Sequence, residues 1–476
     1  MGIIAVILLA FFLRLINLSQ SLWLDEAVQA ITAKESLAFI FQEIIGDFHP
    51  PLYHFLMHFW VRIFGSSEVV LRMPSALFGV GTVFFVYKLG ELGGLGKWGK
   101  LVAALFLATA PFHIYYSQEA RMYSMACFLV AGSMYYFFKI NELTNLKIKR
   151  LDFVASYFVF YFVFTLLALY ADYYAFLVLA AQVLVLLWQR KYKFLLAYLL
   201  LLFTYVPWLP MFTAQLKIGM AATRALPEWG GLVNLSFVKA LPLTLVKFTL
   251  GRITIFDKRF YSGVILAILG GLGVLGTRIW RKIRGDKEGW GKVVCLWLFL
   301  PLLTAWIVSL LIPNYQPFRL LLTLPAFYLL LVWGISAFKK RKYQILAAGV
   351  ILVINLLSLS VYYLNPYFRR EDWRGTVKYL EDKNDGVALL PSETSNWPWR
   401  YYTQEKVELI TVATGTTKIE LPMSLPDTPK LYYIRYLVPL FDPEELILAE
   451  LKQKGYTKVG EKSFNQIPVW EYQKIN

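Results

Sequence analysis

The sequence predicts an α-helical polytopic membrane protein, with about eleven transmembrane helices and a small C-terminal α/β domain on the extracytoplasmic side. Three observations predict it. Of the 476 residues, 58% are hydrophobic, above the roughly 45–50% of soluble domains. The apolar residues recur in stretches of roughly 20, enough to cross a bilayer core of about 30 Å. Such stretches must be helical, because backbone amides in lipid have to be satisfied within the segment. Finally, the 48 Lys and Arg against 31 Asp and Glu gather in short connections on one side of the chain, as cytoplasmic loops do.

The spans read at 2–18, 69–88, 101–116, 122–138, 152–170, 174–188, 194–212, 260–277, 293–312, 319–338 and 343–363. Met1 to Ile16 resembles an uncleaved signal anchor, without the small-residue cleavage site of a removable signal peptide. From a cytoplasmic N-terminus, five connections fall inside: Lys88–Lys100, Lys139–Arg150, Arg190–Lys193, Arg278–Lys292 and Lys339–Lys342. All five are basic. The outer connections at 171–173 and 313–318 carry almost no positive charge. Residues 232–250 are apolar too, but contain Lys239, Pro242 and Lys247. Counting them as a span would put the later basic clusters outside, so they read as an interfacial or re-entrant helix within an outer loop at 213–258.

The membrane part thus covers 1–363 and holds a second outer loop, 19–68. There, Val28 to Ile45 mixes apolar and polar residues at helical spacing, as an amphipathic helix on the membrane does. Residues 364–476 are more polar. Asp372–Lys383 and Pro443–Lys454 read as helices; Gly386–Pro391, Val407–Ala413 and Lys430–Tyr436 read as strands. The net charge of +17 does not point to nucleic acid, since the basic clusters lack the interleaved aromatics of a strand-binding surface. Cys127 and Cys295 each lie inside an apolar run, as packing thiols rather than a disulfide or metal framework.

Candidate chemistry gathers where the parity puts the outer face. Asp25 and Glu26 follow Trp23 just beyond the first span. Asp25 could N-cap the amphipathic helix with Glu26 in its first turn, or act as general base for a lipid-linked substrate. His49-Pro50-Pro51-Leu52-Tyr53 either starts the next helix or aims His49. Glu119 and Arg121, in the turn before Tyr123, are costly beside a bilayer unless paired or functional. Arg121 could form an ordinary ion pair or grip a phosphate bidentately. Asp172, with Tyr173 and Tyr174, and Arg319 share that face.

These motifs resemble the C-type glycosyltransferases, the group with the protein O-mannosyltransferases and the lipid A aminoarabinose transferases. The residues that carry the resemblance are Asp25-Glu26, His49 to Tyr53, Glu68 with Leu71-Arg72-Met73-Pro74-Ser75, and Tyr116 to Tyr123. Arg319 to Pro325 and Glu371-Asp372-Trp373-Arg374 add to it. It covers nearly the whole chain and is strongest over 15–130.

The resemblance implies a transferase of the cell membrane that uses a polyprenyl-phosphate sugar, hexosyl or pentosyl, at the extracytoplasmic face. The acceptor would be a lipid, glycan or protein. Asp25 and Glu26 become the catalytic acids, with Asp25 as base. Arg121, His49 and Arg319 bind donor phosphate, and Glu119, Tyr123 and Asp172 bind substrate. Phe48 and His49 stand where the aminoarabinose transferases carry an acid and a lysine. No metal ligand or firm cofactor is therefore carried over, and a divalent cation is left open. Two other classes fit a polytopic chain. A flippase of lipid-linked saccharides would need midplane ionisable residues and repeated halves; a membrane scaffold would bind partners through 364–476.

Overall fold

The computed structural model describes residues 2–145, 151–225, 231, 234–254, 257–414, 418–419 and 425–475. Among the described residues, six helical runs are long and apolar enough to cross a bilayer: Glu68–Leu92, Tyr192–Ala221, Lys258–Arg284, Trp290–Val308, Pro317–Ile335 and Arg341–Leu364. Ile3–Leu15, Ala155–Ala171 and Ala175–Trp188 are shorter and also apolar. The chain is a multi-pass membrane protein whose helices bury one another's apolar faces in a single large core.

The first helices are α1 (Ile3–Leu15), α2 (Leu24–Thr32), α3 (Leu37–Asp47), α4 (Leu52–Phe64), α5 (Glu68–Leu92), α6 (Gly96–Thr109), α7 (Pro111–Ser117) and α8 (Tyr123–Asn145). The amphipathic stretch expected at 28–45 is two helices, because Ser36 caps a new start by accepting from the Phe39 amide. Helix α2 begins after Trp23, so Asp25 lies in its first turn and caps nothing. The stretch expected as one span at 101–116 breaks at Pro111, which has no N–H to continue helix α6 and sits at the first position of α7. In the 194–212 region the helical run continues through Leu209–Ala225, into what read as loop.

Helices α1 and α5 come close where α5 is small. A Cβ on Gly79 would lie 2.7 Å from Arg14 Nε and 2.3 Å from Ser117 Oγ. Arg14 is buried and donates to the Ala10 carbonyl at 2.8 Å, the Ala108 carbonyl at 3.3 Å and His113 Nδ1 at 2.7 Å. Its charge is therefore solvated by backbone and imidazole, not by a carboxylate. Residues Phe237–Leu250 form a helix of 14 residues containing Pro242, below the roughly 20 needed to span. Ala240, Val246 and Phe248 on it are buried. Residues 232–233 of the predicted segment lie outside the described residues.

The C-terminal part is a five-stranded mixed sheet, β1 (Val387–Ser392), β2 (Leu409–Ala413), β3 (Lys430–Ile434), β4 (Tyr456–Phe464) and β5 (Ile467–Lys474). The order is β2-β1-β3-β5-β4, with β1 parallel to both neighbours and β5 antiparallel to β3 and β4. Helices Trp373–Lys383 and Leu446–Gln453 pack on it. The β4–β5 hairpin was not foreseen. It turns at Asn465-Gln466, both at positive φ, as a two-residue hairpin loop requires.

Candidate functional site

The sheet domain sits on the loop that follows α1. Tyr402 Oη accepts from the Leu22 amide at 2.8 Å, the Arg370 amide donates to Gln20 Oε1 at 2.9 Å, and Arg374 pairs with Glu68 at 3.0 Å. Leu24 packs against the sheet domain's own core. Helix α2 is thereby held between membrane helices and sheet, and its two acids point into different surroundings.

Glu26 is fully buried. Arg72 reaches it with Nε at 2.8 Å and Nη2 at 2.5 Å, and the Ala120 amide donates at 2.9 Å. The other Arg72 donors go to the carbonyls of Leu18, Gln20 and Ser21, at 2.8, 2.6 and 3.0 Å. All five guanidinium N–H groups are used. Arg370 Nε stands 3.9 Å from Glu26 and its Nη2 3.3 Å from Glu119. Burial opposes charge on Glu26, but the two arginines and the amide hold its carboxyl below the usual range. Glu119 is held above that range by burial and by Glu26, against the pull of Arg370.

Asp25 keeps 38% of its side chain exposed. Its nearest cation is Arg121, at 3.6 Å, and Arg121 is also 2.9 Å from Asp47. His54 Nε2 lies 2.7 Å from the other Asp47 oxygen, and His49 Nδ1 donates to the Asp47 carbonyl. The Asp25 carboxyl is raised above the ordinary aspartate range by its protein surroundings and by Asp47 and Glu26, despite Arg121 and His49. Asp47 goes the other way: burial disfavours its charge, yet Arg121, His49 and His54 hold it well below.

The turn that carries Asp47 and His49 is rigid. Helix α3 ends with Phe48 in the left-handed region, φ 57°, and Pro51 caps α4. Gln215 donates to the Ile44 carbonyl at 2.7 Å and the His49 carbonyl at 3.0 Å, tying the turn to the 209–225 helix. Tyr53 Oη meets Ser75 Oγ at 3.0 Å, and Ser75 Oγ donates to the Arg121 carbonyl at 3.0 Å. The Pro-Pro, Arg72–Ser75 and Glu119–Tyr123 motifs therefore meet at one point.

A cavity of about 570 Å³ opens beside this cluster. His49, Asp172 and Arg319 line its polar end, and Leu177, Phe212 and Leu216 are among its apolar walls. Burial raises the Asp172 carboxyl, with His49 and Arg319 opposing. Tyr123 lies edge-on to His49, ring centres 6.0 Å apart, and against Phe318 at 5.1 Å. Arg319 Nη1 donates to the Asn314 carbonyl at 2.9 Å.

Of the residues singled out from sequence, Asp25, His49, Arg121, Tyr123, Asp172 and Arg319 come together around this end of the bundle. Glu26 and Glu119 belong to the adjoining buried clamp. Asp47 and His54 were missed, although an acid and a histidine seven residues apart across Pro50-Pro51 were there to be read. The clamp roles of Arg72 and Arg370 also needed the structure. Among the described residues, no group of three or more His, Cys, Asp or Glu side chains is placed to hold a metal ion.

Residues 48–211 match the dolichyl-phosphate-mannose-protein mannosyltransferase family. The matched segment begins one residue after Asp47 and contains Arg72, Glu119, Arg121, Tyr123 and Asp172; Asp25 and Glu26 precede it. Among curated proteins, none matches the chain. Among solved structures, the fold is shared with ArnT from Cupriavidus metallidurans bound to undecaprenyl phosphate. The TM-score is 0.57 at 12% identity, over 98% of this chain and 97% of that one. Its apo form gives 0.55 at 13%, over 98% and 96%. The Archaeoglobus fulgidus oligosaccharyltransferase AglB, with an inhibitory peptide and a dolichol-phosphate, gives 0.53 at 12%, over 98% and 74%. The family match covers Arg72, Glu119, Arg121, Tyr123 and Asp172 but not Asp25, Glu26, Asp47, Arg319 or Arg370, while the fold shared with ArnT extends over 98% of the chain.

Proposed function

We propose that the chain is a membrane glycosyltransferase that moves a sugar from a polyprenyl-phosphate carrier to an acceptor hydroxyl at the extracytoplasmic face. The observation that carries the reading is Asp25: a carboxylate still open to solvent, 3.6 Å from a buried arginine, and electrostatically coupled to His49, which with Asp172 and Arg319 lines a largely apolar cavity of about 570 Å³. The match to the mannosyltransferase family supports the reaction class, as does the undecaprenyl phosphate bound by ArnT.

The cavity takes the polyprenyl chain along its apolar walls, leaving the phosphate at the polar end. Asp25 accepts the proton of the acceptor hydroxyl as its oxygen bonds to the anomeric carbon. The bond from that carbon to the phosphate oxygen breaks, and polyprenyl phosphate leaves with the electron pair, inverting the centre. Phosphate is a competent leaving group, so the protein's work is a base, positioning and cations for the departing charge. Arg319 and His49 supply the cations at the cavity, while Arg121 fixes Asp25. A carboxyl raised by its surroundings is the stronger base once ionised. Glu26 acts through position, holding α2 so that Asp25 faces the reacting centre.

Eleven crossing segments put the basic connections in the cytoplasm, with the N-terminus. The site and the sheet domain then face outward from the cell membrane. The test is transfer from a panel of labelled polyprenyl-phosphate sugars to native lipid, glycan and protein acceptors, comparing wild type with Asp25→Asn. Transfer lost in the variant supports the reading and identifies the sugar; transfer retained overturns Asp25 as base. For sidedness, Thr457→Cys should react with an impermeant maleimide from outside intact cells, and protection there would overturn the orientation.

A further inference from the structure

A second cavity, of about 300 Å³, is lined by Trp23, two residues before Asp25, and shares no lining residue with the apolar one. It is enclosed by the loop before α2, residues 252–254 and the start of the sheet domain. Trp23, Tyr115, Arg252, Arg369, Arg370 and Glu371 supply its chemistry. Nothing in the transfer step described above uses Arg252, Arg369 or this space.

The charges do not cancel. Arg370 is answered by Glu119 and Glu26, and Glu26 by Arg72. Arg252 donates to Tyr115 Oη at 2.8 Å, and its guanidinium lies 4.7 Å from the centre of that ring; Arg370 lies 4.6 Å from the same ring. Among the described residues neither Arg252 nor Arg369 makes an ion pair. Two guanidiniums therefore face the space with one carboxylate, Glu371, as counter-charge. Glu371 is itself pushed up to about 7 by burial and by Asp25, against hydrogen bonds from Tyr436 and Trp373, so near neutrality it offsets little. The indole N–H of Trp23 is buried without a partner, two residues from Asp25.

We infer that this cavity is the acceptor site and that it takes a saccharide bearing an anionic group, a phosphate or a carboxylate. The inference rests on the glycosyltransferase reading and deepens it. Arg252 and Arg369 grip the anion, guanidinium to oxyanion, in the geometry that favours arginine over lysine. The Trp23 and Tyr115 faces seat the sugar ring, and the indole N–H finds a ring or hydroxyl oxygen. Asp25 is coupled electrostatically to Glu371 of this cavity and to His49 of the apolar one. A saccharide seated on Trp23, two residues before Asp25, presents its hydroxyl to that base while the donor phosphate stays with His49 and Arg319.

The test is binding to the full-length, donor-free protein in detergent, by titration calorimetry, with glucose, glucose 1-phosphate and glucuronate as probes. We expect both anionic sugars to bind at least about tenfold more tightly than glucose, the size of one charge-assisted contact. The double variant Arg252→Gln/Arg369→Gln should lose that advantage, and Arg252→Lys should keep part of it. Saturating undecaprenyl phosphate should leave binding of the sugars unchanged, which separates this site from the phosphate end of the apolar cavity. Which of the two anionic sugars wild type binds more tightly tells phosphate from carboxylate.

Equal binding of all three probes would overturn the inference, as would selectivity that survives the double variant or is displaced by undecaprenyl phosphate. Both arginines are exposed, so a fold check by thermal unfolding suffices. Because no turnover is needed, the result is readable even if Asp25-dependent transfer is never found. Conversely, Asp25-dependent transfer with no anion selectivity sinks this inference alone.

Discussion

Asp25 and Glu26 are neighbours in sequence and opposites in setting. Glu26 is held on all sides: Arg72 spends five donors on it and the preceding carbonyls, and the Ala120 amide adds another. Asp25 lies in a region left incomplete, with one cation at 3.6 Å and 38% of its side chain open. A buried charge surrounded by matched partners holds a structure in place. One with a raised carboxyl and spare lone pairs can take a proton from a substrate. A rotation of about 100° along one helical turn thus separates a fastener from a candidate reagent.

Four measurements break or sharpen that contrast. The largest effect belongs to Asp25→Asn, which should lower transfer by about 10²–10⁴-fold, the usual worth of a general base, while thermal unfolding stays near wild type. Equal loss of stability would erase the distinction. Next, Glu26→Ala leaves Arg72 buried without its carboxylate and should cost about 3–5 kcal/mol, seen as loss of folded protein in detergent. A folded but inactive variant would make Glu26 a reacting group after all.

A smaller effect concerns pH. Folded, Glu371 titrates at about 7, above an unfolded glutamate at roughly 4.3. Between those values the folded chain holds a proton that the unfolded chain has released. Its contribution to stability is therefore present below the lower value and lost as pH rises through about 7. Burial and Asp25 drive the shift, and Tyr436, Trp373 and Arg370 oppose it. Wild type should lose melting temperature between pH 5 and 8, and Glu371→Gln should flatten the slope; unchanged slopes would reject the assignment. The smallest change is Arg374→Ala. Its pair with Glu68 is half exposed and should be worth about 0.2–1 kcal/mol, with transfer intact.

Much of this was legible before the structure, for identifiable reasons. Apolar stretches of membrane length and the charge of the loops placed the helices, and Asp25 stood out beside Trp23 at a predicted boundary. Three of the five strands were apolar enough to read. Strand β4 was not: it is an exposed edge carrying Lys458 and Lys462, charges that protect an edge and hide it from pattern reading. The break between α2 and α3 turned on a single serine. Arg72 and Arg370 looked like any membrane-flanking arginines, since their partners lie 46 and 251 residues away. The clamp around Glu26 is long-range by construction, so local reading favours the reagent and misses the fastener.

The seating of α2 on the sheet domain also has a consequence in time. Leu24 completes a core made by Trp373, Leu390 and Tyr432, and the amide of Arg370 reaches back 350 residues to Gln20. A ribosome adding roughly 5–20 residues per second needs on the order of 20–70 s to cover that distance. Throughout that interval the first loop is already made, with its two acids unplaced. The site is therefore completed only once the sheet domain has followed, and a chain cut short within that domain should leave helix α2 without its seat.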